Sequence, residues 1–246
     1  MTLRTVLAGY LVAIPMGLLA IGWTVVCIGR GEFLTAVVTA GLGAASFAMT
    51  VPPALSLAGR ITPRGFCDGE GTTFRPDLIF EIAVRVMVLG LVFACTLFAI
   101  FNPLGRLDIP VPQSARYSIP FMAGALTLMG FPVIWLMIRR GGTKYLRLTP
   151  AGYEVAEGYR PECGGWDEVA DVTDVVPESY RQVPNALVLM KTDGTAAVLA
   201  AGPITPGGQD LRELVRFYWR EPQCRSELMD GRAIERLAER RFKADT

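Results

Sequence analysis

The sequence predicts an α-helical membrane domain of four transmembrane helices followed by a small α+β domain. Three observations predict it. Four apolar stretches each approach the ~20 residues needed to cross a ~30 Å hydrocarbon core. The charge is uneven: residues 1–140 carry ten Arg, no Lys and six acids, while residues 141–246 hold 14 basic and 17 acidic residues. The chain is 51% hydrophobic with mean hydropathy +0.37, too apolar for one water-soluble body, whereas its last hundred or so residues are enough for one small core. The domains so read are 1–140, with a hairpin at 59–77, and 141–246.

The four spans are expected over Leu3–Ile28, Phe33–Leu57, Leu78–Phe101 and Ile119–Ile138. The first is too long in its apolar run for a signal peptide and is followed by three more. Arginine placement sets the orientation. With the N-terminus inside, the cytoplasmic flanks hold Arg4, Arg60, Arg64, Arg75, Arg139, Arg140, Lys144 and Arg147, and the outer loops only Arg30, Arg106 and Arg116. Both termini are therefore expected in the cytoplasm. Trp23 and Trp135, near span ends, suit the interface.

Two cytoplasmic segments read alike. Arg60, Thr62, Pro63, Gly65, Phe66, Glu70 and Gly71 match Arg147, Thr149, Pro150, Gly152, Tyr153, Glu157 and Gly158 at constant offset. After a short deletion, Phe74-Arg75-Pro76-Asp77 matches Tyr159-Arg160-Pro161-Glu162. Pro-x-Gly alone marks only a turn, but each copy follows two spans. The expectation is two duplicated units, each a helix pair plus a β-hairpin; the alternative is convergent turn chemistry.

Beyond the second copy, strands are expected over 144–149, 152–159 and from Trp166 through Val175–Val176. A hairpin follows, from Leu187–Lys191 through Asp193-Gly194 to Thr195–Ala200. Gln209–Arg220 has helical periodicity, with Leu211, Leu214, Val215, Tyr218 and Trp219 on one face, and a second helix is expected over Ser226–Arg241.

The runs LRLTPAGYEV and WDEVADV, then the hairpin and LRELVRFYWREPQCRSELMDGRAIERL, resemble the PH-like domains appended to actinobacterial multi-pass membrane proteins. That resemblance implies a bent antiparallel sheet capped by a helix, and the bacterial plasma membrane as the location. It does not imply phosphoinositide binding, because the first strand turn here is Thr149-Pro150-Ala151-Gly152. The whole layout is similar to LucA-like accessory subunits of Mce-type lipid importers, which implies a lipid-transport complex as partner.

Absent residues narrow the chemistry. With no histidine in the chain, Ser-His-Asp and Cys-His catalysis and His-ligated metal sites are excluded. The five cysteines, at 27, 67, 95, 163 and 224, show no C-x-x-C spacing. The glycine-rich stretches at 141–144 and 202–208 lack the phosphate-loop pattern, so no nucleotide, metal or other cofactor is expected. Asp167, Glu168, Asp171, Asp174 and Glu178 alternate with valines and read as a solvated face.

Four sets of residues remain as contact candidates. Glu81 and Arg85, ionisable and inside the third span, form an i,i+4 pair that is either self-neutralising or an anchor for a partner's charge. Gly41-x-x-x-Ala45, with Thr39-x-x-x-Gly43, Ala13-x-x-x-Gly17 and Gly90-x-x-x-Ala94, permits close helix approach within the chain or to another protein. Arg212, Arg216 and Arg220 form a row that is either a solvated face or a contact with a membrane surface or partner. Arg232, Arg236 and Arg240 form a second row with the same alternatives. Nucleic acid is not expected, since the C-terminal part is net acidic. The function expected is a non-catalytic accessory, assembly or regulatory subunit of a larger membrane complex. The alternatives are a small lipid-handling membrane protein and a membrane-embedded transferase or hydrolase.

Overall fold

The computed structural model describes residues 3–109, 111–142, 144–157 and 160–242. Gly158 and Tyr159 of the second repeat copy, Thr143, and the side chain of Arg4 lie outside that description. The chain divides into two compact units. One comprises residues up to Ala54 with Ile82–Gly141, and the other Leu55–Glu81 with residues from Gly142 onward.

Four helices, α1 (Leu3–Gly29), α2 (Phe33–Ala58), α3 (Leu78–Phe101) and α4 (Ser118–Arg140), are long and apolar enough to cross a membrane. Their ends fall within two residues of the expected spans. Arg139 and Arg140 occupy the last turn of α4, where cations complement the helix dipole, and Gly141 closes it in the left-handed conformation. In the first unit Val38, Ala94, Cys95, Phe98 and Ala123 form a small apolar cluster. The α3–α4 connection is tied to the first two helices through Asp108. Its carboxylate meets Arg30 at 3.1 Å, its carbonyl accepts from the Trp23 indole, and its N–H donates to Thr35 Oγ1.

Among the described residues the second unit holds eight strands. A five-stranded antiparallel sheet runs in the order β1 (Arg64–Cys67), β2 (Thr72–Arg75), β3 (Tyr145–Leu148), β4 (Gly152–Ala156), β5 (Glu162–Gly165). A three-stranded antiparallel sheet contains β6 (Val169–Thr173), β7 (Ala186–Lys191) and β8 (Ala196–Ala200). Helix α5 (Gln209–Arg220) and the shorter α6 (Arg232–Glu239) complete it. One buried cluster joins them: Phe74, Leu146 and Leu148 from the first sheet, Leu187, Leu189 and Leu199 from the second, and Leu211, Leu214 and Tyr218 from α5.

The hairpin between α2 and α3 is part of this core. Its strand β2 pairs with β3 in the register Thr72↔Leu148, Thr73↔Arg147, Phe74↔Leu146, which brings the two repeat copies into one sheet. The copies do not, however, build the same hairpin. Thr149-Pro150-Ala151-Gly152 closes the β3–β4 turn, with Thr149 and Gly152 exchanging N–H···O bonds. Thr62-Pro63-Arg64-Gly65 instead leads into β1, and the turn of that hairpin is Asp68–Gly71, where Asp68 accepts from the Glu70 and Gly71 N–H groups.

Three further expectations are corrected. Trp166–Glu168 is a 3-10 turn, and the strand begins only at Val169 and ends at Thr173, because Trp166 turns into the core beside Tyr153. The return strand stops at Ala156, and a separate strand, β5, follows. The final helix covers Arg232–Glu239 alone: Pro222–Leu228 is 3-10, and Gly231 at φ 86° separates the two, a conformation glycine adopts without penalty.

Candidate interaction surface

Glycines carry the packing between α2 and α3. A Cβ on Gly90 would sit 2.9 Å from the Gly41 carbonyl oxygen and 3.5 Å from the Ala45 Cβ, and one on Gly41 would sit 3.3 Å from the Ala94 Cβ. The Gly41/Ala45 and Gly90/Ala94 stripes therefore face each other, and these residues serve contact within the chain. Gly17 and Gly43 lie likewise where α1 meets α2, against Phe47 and Ile21. Hydroxyls reinforce the packing: Thr24 and Thr39 are 2.8 Å apart, and Thr96 donates to Thr127 at 3.3 Å.

The entry to α3 is a convergence of bonds in the second unit. The buried Asp77 carboxylate caps the helix by accepting from the Ile79 and Phe80 N–H groups, and its other oxygen accepts from the Thr62 N–H and hydroxyl. The Asp77 N–H donates to the Pro203 carbonyl, in the loop after β8. Burial alone would raise this carboxyl, but the bonds from Thr62 and the helix amides outweigh it and hold it below the usual range. Two more sequence candidates lie just beyond. Glu81 accepts from Arg64 at 3.1 Å, and Gly142 leaves space for the approaching Glu81 carboxylate. Arg85 donates to the Gly141 carbonyl at the end of α4.

The arginine row of α5 is largely turned to its own unit. Arg212 donates to the Ala186 carbonyl, and Arg216 to the Val172 carbonyl and to Glu213, so both bind the helix to the three-stranded sheet. Arg220 is exposed. The second row hides a structural pair: Arg236 grips Glu227 through two bonds of 2.8 Å, and the Tyr218 hydroxyl donates to the same carboxylate. Arg236 also lies over the Phe217 ring. Its bonds hold Glu227 below the usual carboxylate range against the opposing effect of burial, while burial and the Glu227 charge push Tyr218 up. Spacing along α6 cannot reveal this, because the partner sits before the break at Gly231.

The acidic run Asp167, Glu168, Asp171, Asp174 and Glu178 is exposed. Among the described residues no group of three or more His, Cys, Asp or Glu side chains is placed to hold a metal ion. Partial desolvation and the Glu154 charge push the Cys163 thiol up, away from the thiolate form that a nucleophile needs. Burial, with Glu168 and Glu162 nearby, pushes the Tyr153 phenol up to about 12.

No protein-family model, no curated protein and no solved structure matches this chain.

Proposed function

We propose that this chain is a multi-pass subunit of a larger bacterial plasma-membrane complex, acting by contact as an accessory, assembly or regulatory component. Its two termini and its sheet lie in the cytoplasm. The observation that carries the reading is the pairing of β2 with β3. Strands can pair only on one side of a bilayer, so the chain between them, which holds α3 and α4, crosses an even number of times. The arginine asymmetry then assigns that side to the cytoplasm. A domain whose sheet combines a hairpin from the α2–α3 connection with strands that follow α4 suits a contact module tied to more than one part of the chain.

The order of elements, strands β3 to β8 and then helix α5, supports the PH-like resemblance, and such a domain acts here as an interaction module. The similarity of layout to accessory subunits of Mce-type importers makes a lipid-transport complex the first partner to seek. The test is purification of the full chain from native membranes in mild detergent. A stoichiometric membrane subunit travelling with it is the expected result. Recovery of the chain alone with bound lipid would replace this reading with lipid handling, and turnover of a substrate by the isolated chain would replace it with an enzyme.

A further inference from the structure

The five-stranded sheet has one face in the core and one turned away from it. Phe74, Leu146 and Leu148 point inward. By alternation, Arg64 and Phe66 of β1, Thr73 and Arg75 of β2, and Tyr145 and Arg147 of β3 point outward. Ring contacts agree with that assignment: the Arg64 guanidinium lies 5.6 Å from the Phe66 ring centroid, and that of Arg75 lies 6.0 Å from Tyr145. Phe66 nevertheless remains 51% exposed, on an edge strand, with nothing of its own sheet beyond it.

The outward side is also the side of the first turn of α3, Leu78–Glu81, which belongs to the same unit. Arg64 bonds Glu81, which lies one turn beyond the Asp77 cap, about 6 Å further along the helix axis. Phe66 is thereby held, through Arg64, beside the first turn of a helix long and apolar enough to cross a membrane. Along the chain, Phe66 pairs with Thr73, four residues before Asp77, a reach of at most about 14 Å. The interfacial layer on each side of the hydrocarbon core is roughly 5–8 Å deep. An aromatic ring backed by a guanidinium suits that layer, because the ring body is apolar and the cation stays wet. Arg64 is paired with Glu81 and Arg147 with Asp68 and Glu70, while the Arg75 guanidinium lies over the Tyr145 ring. The arginines of this face are thus engaged within the unit, so contact with lipid does not call for an anionic headgroup.

We propose that the outward face of the sheet, with Phe66 at its edge, rests on the lipid interface at the point where α3 enters the membrane. The partner is the phospholipid surface itself. The proposal rests on the reading of α3 as a span, and the test separates the two. Benzoylphenylalanine is placed at Phe66, at Ile79 in the first turn of α3, or at Val175, exposed on the loop after β6, in the otherwise native full chain. Each variant is reconstituted into phosphatidylcholine vesicles and irradiated, and the intact mass is read. The expected result is the mass gain of one phospholipid at positions 66 and 79 and none at 175. A lipid adduct at 79 with none at 66 overturns this proposal and leaves the span reading standing. Absence of an adduct at 79 overturns the span reading and the proposal with it. A protein–protein adduct at 66 shows a second chain covering the face, and adducts at all three positions show unselective contact; either result overturns the proposal.

Discussion

The two units are packed in opposite senses. The helical unit shows its large side chains and buries its small ones: Leu11 is 76%, Phe121 79% and Ile138 77% exposed, while Ala13, Ala36, Ala45, Ala94 and Ala123 are buried. The sheet unit does the reverse, burying Leu146, Leu148, Leu187, Leu189, Leu199 and Tyr218 completely. Water drives large apolar groups together, whereas lipid tails are as apolar as leucine, so helices in lipid associate through close backbone approach and hydroxyl contacts. Polar groups divide the same way. The helical unit pairs Thr24 with Thr39 and Thr96 with Thr127, and the sheet unit buries a full ion pair, Glu227–Arg236. The contrast is the one expected of a chain whose four long helices face lipid and whose sheet unit faces water.

The largest expected effect lies at that buried pair. Arg236→Ala leaves Glu227 without its cation and should cost about 3–5 kcal/mol, read as lost thermal stability of the sheet unit. The same pair sets a pH limit. Glu227 is held below its ordinary value when folded, so its contribution is complete above the unfolded carboxyl range of about 4.3 and is lost as pH falls through the lower folded value. Glu227→Gln should flatten that acid limb of a stability–pH curve.

Core truncation sharpens the comparison further. Leu146→Ala should cost about 2–5 kcal/mol by leaving a cavity. Leu11→Ala, on a side chain that touches no core, should leave the detergent-solubilised melting temperature almost unchanged. If both variants were equally damaging, the two-solvent contrast would fail.

In the helical unit the sensitive positions are the smallest residues. Gly90→Leu drives a side chain into the Gly41 carbonyl and should cost about 1–3 kcal/mol or more. A Cβ added at Gly9 meets nothing within 4 Å, so Gly9→Leu should be tolerated by the same measurement. Thr39→Val removes the hydroxyl that meets Thr24 and the Thr35 and Ala36 carbonyls of its own helix, and should cost only about 0.6 kcal/mol, the smallest of the expected losses.

Long, local patterns were legible in the sequence. All four helix spans, the β7–β8 hairpin and α5 follow from apolar runs, an Asp-Gly turn and helical spacing. Strand β5 was not legible, because Glu162-Cys163-Gly164-Gly165 is an edge strand without apolar alternation and is held by pairing with β4. The end of the chain misled because the helical pattern of Arg232–Glu239 continues backwards past Gly231, whose left-handed backbone no periodicity announces. Among the candidate residues, small-residue spacing located Gly41 and Ala45, and only the fold supplied Gly90 and Ala94 as their partners. The functions of Asp77 and Glu227 were hidden for the same reason: Asp77 links Thr62, the start of α3 and Pro203, which are distant in sequence.

The central claim, that the α2–α3 connection and the segment after α4 build one sheet on the cytoplasmic side of the membrane, is tested most directly with two native thiols. Cys67 on β1 and Cys163 on β5 are both exposed, at opposite edges of the five-stranded sheet. An impermeant maleimide applied to intact cells should modify neither, and both should react once the membrane is opened. Labelling of either thiol from outside would contradict the account.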